Sequence, residues 1–128
     1  MKQRPTMIGI GIDIIDSNRF RGKKYARGSA LVKRMFTLRE REYCFSKRDP
    51  APRLATHFAA KEALWKALTD TKSFKTPLFS FLQEVEIVHD MRGKPGFVFL
   101  SSRFKKHRAL VSIADSDSHA IAVVILQK

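Results

Sequence analysis

The sequence predicts an α+β fold in which an antiparallel sheet packs against one long helix, with additional short helices. Three patterns predict it: an isoleucine-rich apolar run over residues 7–15, apolar residues at helical spacing over 53–69, and two apolar runs over 108–114 and 119–126 that flank a polar turn. We expect one domain spanning residues 1–128, because 128 residues with 44% hydrophobic content suffice for one core.

The first strand is predicted over residues 7–15, where Asp13 interrupts an otherwise apolar sequence. Residues 17–39 follow and contain eight Lys and Arg but no acid. Aromatic and aliphatic residues alternate with these charges, which favours short amphipathic helices over a disordered tail. Taken singly, each of these cations is typical of solvated surface.

The central helices are predicted from capping and periodicity. Thr37 and Glu40 form a capping-box pattern, so a helix should begin near Leu38 and end at about Ser46. The sequence RDPAP over residues 48–52 should separate it from the long helix at 53–69. Residues 70–80 lack periodicity and predict a loop.

The C-terminal part predicts strands. Apolar and polar residues alternate over 84–89, a Gly- and Pro-containing turn occupies 92–96, and a short strand follows at 97–100. The runs at 108–114 and 119–126 then form a pair of apolar strands around the turn at 115–118.

The charge balance indicates an anionic partner. With 25 Lys and Arg against 12 Asp and Glu, the formal net charge is +13, and nucleic acid, anionic lipid, an acidic protein and a multiphosphate ligand all remain candidates. Cys44 is the only cysteine, which excludes an intramolecular disulfide and favours the cytoplasm. We expect no signal peptide and no membrane segment, because glycines and Asp13 interrupt the N-terminal apolar run.

Two carboxylates stand where burial would make them costly. Asp13 lies in the predicted first strand and Glu62 in the middle of the long helix, and together they would suit a Mg²⁺ ion that keeps its other positions for water and phosphate oxygens. Lys66 lies one helical turn after Glu62, within reach of such a phosphate. The alternative is a surface Glu62, an Asp13 that forms an ion pair or a helix cap, and a surface pair of Glu62 with Lys66. We expect Lys61 on another face, serving solubility or a second phosphate contact.

The sequence does not support a dinucleotide-binding site or a zinc site. Gly9 and Gly11 are half of a dinucleotide-binding fingerprint, but the third glycine and the following helix are missing. One cysteine and four scattered histidines give no zinc-ligand spacing.

Five segments in order resemble the motifs of bacterial holo-acyl-carrier-protein synthases, which belong to the 4′-phosphopantetheinyl transferase superfamily. They are GIGIDIIDSNR (9–19), FTLRE (36–40), FAAKEALWKAL (58–68), GKP (93–95), and VSI with AIAVVIL (111–113 and 120–126). The resemblance implies the superfamily's fold and a cytoplasmic, Mg²⁺-dependent transferase for fatty acid biosynthesis. Such an enzyme transfers the 4′-phosphopantetheine of coenzyme A to a serine of apo-acyl carrier protein and releases adenosine 3′,5′-bisphosphate.

The resemblance also implies roles for individual residues. The Mg²⁺ ligands would be Asp13 and Glu62, which with Lys66 form the catalytic set. Residues near coenzyme A would be Lys66, Gly93, Lys94, Pro95 and Ser112. The carrier protein would bind an arginine surface that begins with Arg19 and continues through Arg21 and Lys24. The family assembles as a homotrimer with active sites at subunit boundaries.

Two departures from the family pattern limit this transfer. Many members have a histidine after the VSI strand, near coenzyme A, where this chain has Asp115, so no histidine role can be assigned. A carboxylate there would repel phosphates unless it turns away or binds a cation. The family's Gly-rich turn after the long helix is replaced by residues 69–73, TDTKS, so ligand contacts from that segment are not inferred.

Two other functions stay open at this point. A basic nucleic-acid-binding module would explain the charge and the interleaved aromatic residues, but not the two carboxylates. A non-catalytic homologue that binds coenzyme A or carrier protein without transfer is compatible with Asp115 and the altered turn.

Overall fold

The fold is that of a computed structural model that describes residues 4–104 and 106–128. The strands are β1 Met7–Asp16, β2 Val85–His89, β3 Pro95–Phe99, β4 Arg108–Asp115 and β5 His119–Gln127. The α-helices are α1 Ala30–Met35, α2 Leu38–Phe45, α3 Ala51–Thr69 and α4 Leu78–Phe81. Short 3₁₀ helices occupy Ser17–Arg21, Lys23–Tyr25 and Ser102–Phe104. The predicted α+β class is confirmed.

Several boundaries differ from prediction; β3, for example, begins at Pro95, inside the turn predicted over 92–96. The long helix begins at Ala51 rather than 53, because Pro52 lies in its first turn, where a missing backbone N–H costs nothing. The predicted loop over residues 70–80 is wrong at its end, since α4 begins at Leu78. Phe81 of this helix is fully buried against the rings of Phe74 and Phe104, so tertiary packing creates a helix too short for a periodic signal.

The strands form two antiparallel sheets. One has the order β1-β5-β4, and β2 and β3 form a separate two-stranded hairpin. In the larger sheet Asp13 is paired with Ala122, and Ala122 is paired with Ile113. The edges of this sheet are therefore β1 and β4.

Helix α3 packs closely on one face of the larger sheet, and the glycines of β1 make this approach possible. A Cβ atom at Gly11 would overlap the carbonyl oxygen of Ala63, and one at Gly9 would overlap that of Ala67. These two glycines thus serve helix–sheet packing rather than nucleotide binding. Among the described residues, neither α3 nor any other helix combines the length and apolar character needed to cross a membrane.

Lys61 corrects one expectation, because it is completely buried. Its Nζ lies 2.7 Å from Oε1 of Glu40 and donates to the carbonyl of Met35 at 3.2 Å. Glu40 also accepts from the backbone N–H of Thr37, in the predicted capping box, and from that of Ile87. This ion pair therefore ties α2, α3 and the hairpin together, and it leaves Lys61 no role in solubility or phosphate binding.

The other face of the larger sheet is apolar and uncovered in the isolated chain. Alternate residues of its strands point away from α3, and the large aliphatic ones are between 39% and 61% exposed: Ile10, Ile12, Ile14, Leu110 and Ile121. Isolated exposed aliphatic side chains are ordinary on proteins, whereas a contiguous set across three strands is typical of an interface.

We predict that Gly11→Ala destabilises the fold by about 1–3 kcal/mol, because the added methyl group forces β1 and α3 apart. Urea unfolding measures the change. Gly22→Ala is the matched control, since a Cβ there meets nothing within 4 Å and its φ of −73° suits any residue. Equal stability of the two variants would contradict the packing role of Gly11.

Candidate active site

Asp13 occupies the middle of β1 and points toward α3. Its side chain is only 11% exposed, and its Oδ1 lies 3.3 Å from the Nζ of Lys66. The other carboxylate oxygen, Oδ2, is buried without a hydrogen-bond donor in the described part of the chain. A carboxylate oxygen in this state is costly unless a cation or a donor approaches it.

Glu62 lies beside Asp13 on the facing side of α3. Partial burial raises the pKa of Glu62 to about 7, and the negative charge of the neighbouring Asp13 adds to this increase. Lys66 and Arg19 oppose this increase. The two acids that are 49 residues apart in sequence thus come together, as predicted.

Lys66 completes the cluster. Its Nζ donates to the backbone carbonyl of Ile12 at 3.1 Å and to Asp13, while its side chain stays 43% exposed. The ion pair that the sequence left open for Asp13 therefore exists and uses this lysine. Because this side chain is partly exposed, its ammonium group is accessible to an incoming anion.

The donor set fits a hard divalent cation. An unpartnered buried carboxylate oxygen and a second carboxyl with a raised pKa mark a place where Lys66 does not fully compensate the two acids. Within residues 4–104 and 106–128, no cluster of three or more His, Cys, Asp or Glu has metal-binding geometry. A metal at this place would hence have two protein ligands, the arrangement Mg²⁺ adopts when phosphates and water supply the rest.

The predicted nucleotide-binding turn lies elsewhere on the molecule. Gly93 has a φ of 82°, and the Asp90 carboxylate accepts from the N–H groups of Arg92 and Lys94 to close the β2–β3 turn. A cavity of about 250 Å³ adjoins this turn, lined by Tyr43, Arg53, Thr56, His89, Gly93, Pro95, Ile113 and Asp115. Lys94 faces a neighbouring depression instead.

The carboxylate cluster and this cavity lie on opposite sides of α3. Glu62 and Arg53 are nine residues apart, which is about two and a half helical turns and places them on opposite faces, roughly 14 Å apart along the axis. Asp13 belongs to one edge strand of the sheet and Asp115 to the other. The carboxylate cluster and the cavity therefore face away from each other, and we call them the two candidate half-sites of the chain.

Ser112 is not brought to either half-site. It lies on the outward face of β4, level with Val123 of β5, while the next residue, Ile113, lines the cavity. Its predicted contact with coenzyme A stays a prediction.

The predicted carrier-protein surface is built around aromatic rings. The guanidinium of Arg19 lies 5.1 Å from the ring of Phe58, and Lys24 lies over the ring of Tyr25. Arg21 is held by both carboxylate oxygens of Asp49 at 2.8 Å. Asp49 lowers the net positive charge there, which no sequence signal indicated.

Sequence reasoning missed Arg53 and the two rings of the cavity. Arg53 lies in the first turn of α3, and its Nη1 is 3.9 Å from Oδ2 of Asp115. Tyr43 and His89 stack at a centroid distance of 4.5 Å. The cavity residues Tyr43, Arg53, His89 and Asp115 belong to α2, α3, β2 and β4, respectively. Only the three-dimensional fold brings these four elements together.

Comparison with known proteins agrees with the geometry. A family model described as "4′-phosphopantetheinyl transferase superfamily" matches residues 9–124. A relative from Chlamydia trachomatis named holo-[acyl-carrier-protein] synthase is 39% identical over 127 residues, covering 94% of this chain and 100% of the relative.

Solved structures give the same result. The holo-[acyl-carrier-protein] synthase of Neisseria meningitidis is 30% identical with a TM-score of 0.79, covering 96% of this chain and 100% of that one. The Bacillus anthracis synthase, solved in complex with CoA (3′,5′-ADP), is 31% identical with a TM-score of 0.75, covering 95% and 97%. The chain belongs to the 4′-phosphopantetheinyl transferase superfamily, as its motifs indicated.

Proposed function

We propose that this chain is a holo-acyl-carrier-protein synthase, which transfers 4′-phosphopantetheine from coenzyme A to a serine of apo-acyl carrier protein. The observation that carries the proposal is the cluster of Asp13, Glu62 and Lys66 at the contact between β1 and α3. The relatives named above support it, since their names state this activity over nearly the whole length of the chain.

Asp13 and Glu62 would hold Mg²⁺ in this proposal. The unpartnered Oδ2 of Asp13 and the raised pKa of Glu62 support a cation between them. When bound, Mg²⁺ neutralises the diphosphate of coenzyme A and lowers the cost of the charge that develops in phosphoryl transfer.

The chain's own residues align the reactants and handle the proton. The carrier serine Oγ attacks the β-phosphorus, its bond to phosphorus forms, and the bond to the bridging oxygen breaks as adenosine 3′,5′-bisphosphate leaves. We assign the serine proton to Glu62, the carboxyl whose pKa partial burial raises to about 7 in the metal-free chain. Lys66 then offers its ammonium group to the leaving phosphate, at the cost of its bond to Asp13.

The carrier protein would dock on the surface formed by Arg19, Arg21 and Lys24. Arg19 is near enough to Glu62 to influence its pKa, so a partner bound there would have its serine close to the carboxylates. The net charge of +13 speeds the approach of an acidic partner.

The active assembly would be a homotrimer whose active sites combine two chains. Two observations support this: the uncovered aliphatic face of the β1-β5-β4 sheet, and the separation of the two half-sites by α3. A second copy of the chain, seated on the aliphatic face, would remove that surface from water. It would also bring a β4 edge next to a β1 edge, so that one ligand can bridge both half-sites.

The function is tested by incubating the protein with apo-acyl carrier protein, coenzyme A and Mg²⁺ and measuring the mass of the carrier. We expect a mass increase equal to one phosphopantetheine in the wild type. Asp13→Ala and Glu62→Ala should lower kcat by at least ~10²-fold, because each removes a proposed metal ligand. Glu42→Ala, an exposed acid of α2, serves as the control. Wild-type turnover in either site variant would refute the assignment.

Glu62→Gln should separate metal binding from folding. The raised pKa means that the folded metal-free chain holds an extra proton, so the contribution of Glu62 to stability is full at acidic pH and is lost as the pH rises through about 7. Without metal, the free energy of unfolding of Glu62→Gln should rise by roughly 1 kcal/mol relative to that of wild type as the pH increases from about 5 to about 8. The value is small because the carboxyl group is partly solvated.

The same pair of proteins reports on the metal by thermal unfolding. Adding Mg²⁺ should raise the Tm of wild type at about pH 8 and leave that of Glu62→Gln nearly unchanged. An equal Mg²⁺-dependent shift in both proteins would place the ion elsewhere.

A shared active site predicts complementation between inactive variants. Glu62→Ala disables one half-site and a charge reversal, Arg53→Glu, disables the other. Mixed trimers of the two should regain part of the wild-type rate, because some boundaries then contain both intact halves. Mixing each variant with itself is the control. No recovery in mixtures that exchange subunits would argue for a site within one chain.

A further inference from the structure

The cavity at the β4 edge contains an unusual balance of charge. Among the described residues that line it, Arg53 and Asp115 are the charged ones, and they face each other at 3.9 Å with 43% and 44% of their side chains exposed. The pair is thus accessible to a ligand rather than buried as a structural bridge.

The histidines around this pair carry no charge near neutral pH. Burial lowers the pKa of His57 to about 3, and burial together with Arg53 and Lys47 lowers the pKa of His89, so both rings are neutral near pH 7. Lys47 lies at the outer side, 5.0 Å from the ring of Tyr43. Arg53 is consequently the cation inside the cavity, and Asp115 directly offsets it.

The remaining walls suit a flat nucleoside. The stacked rings of Tyr43 and His89 and the ring of Pro95 form apolar surfaces, and a volume of about 250 Å³ is of the order of one base with its sugar. In the proposed trimer the diphosphate lies at the carboxylate cluster of one chain, so the end of coenzyme A available to the neighbouring chain's cavity is the adenosine with its 3′-phosphate.

We propose that Asp115 is a specificity-determining residue that reduces the preference of this cavity for a 3′-phosphorylated nucleoside, so that 3′-dephospho-coenzyme A competes as donor. This inference rests on the proposed function. A 3′-phosphate that approaches Arg53 also comes close to the Asp115 carboxylate. The guanidinium attracts the phosphate and the carboxylate repels it. A donor without the 3′-phosphate has neither of these two interactions.

The test compares kcat/KM for coenzyme A and 3′-dephospho-coenzyme A in the carrier-mass assay. Asp115→Asn keeps the shape of the side chain and removes its charge. The kcat/KM for coenzyme A divided by that for 3′-dephospho-coenzyme A should therefore be about three- to tenfold higher in this variant than in wild type. Asp117→Asn, two residues later in the same exposed turn, is the matched control and should leave the ratio unchanged. An unchanged or lowered ratio in Asp115→Asn would overturn the proposal.

A binding measurement keeps the inference independent of transfer. Titration calorimetry gives the Kd of adenosine 3′,5′-bisphosphate and of adenosine 5′-monophosphate for the wild type and Asp115→Asn. The variant should gain affinity for the bisphosphate by a similar factor and gain none for the monophosphate. If no protein transfers from either donor but this difference appears, the proposed function fails while the role of Asp115 stands. If the two nucleotides respond alike, or neither binds, the role of Asp115 is refuted.

Discussion

The close contact between β1 and α3 is the constraint on which the site depends. Glycines at positions 9 and 11 let the helix backbone lie against the strand, and this contact brings a strand carboxylate next to a helix carboxylate. Two acids in such a place repel each other and lose hydration, so the arrangement costs stability in the absence of a cation. The buried Lys61–Glu40 pair needs no added cation, because its two charges neutralise each other. This pair links α2 to α3.

The distribution of charge relates directly to assembly. One flank of α3 carries the carboxylate cluster and the other carries the cavity with Arg53 and Asp115. The aliphatic face of the sheet lies on the side away from α3 and gives a second copy a surface on which to pack. In this account, catalysis and oligomerisation share one physical cause, which is the placement of the half-sites on the two edges of a three-stranded sheet.

Local patterns predicted the elements that have strong local signals. The isoleucine run of β1, the Thr37–Glu40 capping box and the periodicity of α3 all appear in the fold. Long-range packing decided what the sequence could not: Lys61 is buried because a carboxylate 21 residues earlier reaches it. Likewise, the cation beside Asp115 is Arg53, which belongs to a distant helix and has no motif of its own. The motif resemblance identified the acids, whereas their shared environment became visible only with coordinates.

We propose that Asp13 and Glu62 jointly hold a divalent ion beside a diphosphate. Crystals grown with coenzyme A and Mn²⁺ in place of Mg²⁺ test it most directly, through the anomalous scattering of manganese. We expect one strong anomalous peak in contact with both carboxylates and with diphosphate oxygens. A diphosphate bound with no such peak at these two side chains, or with manganese held by other residues, would contradict it.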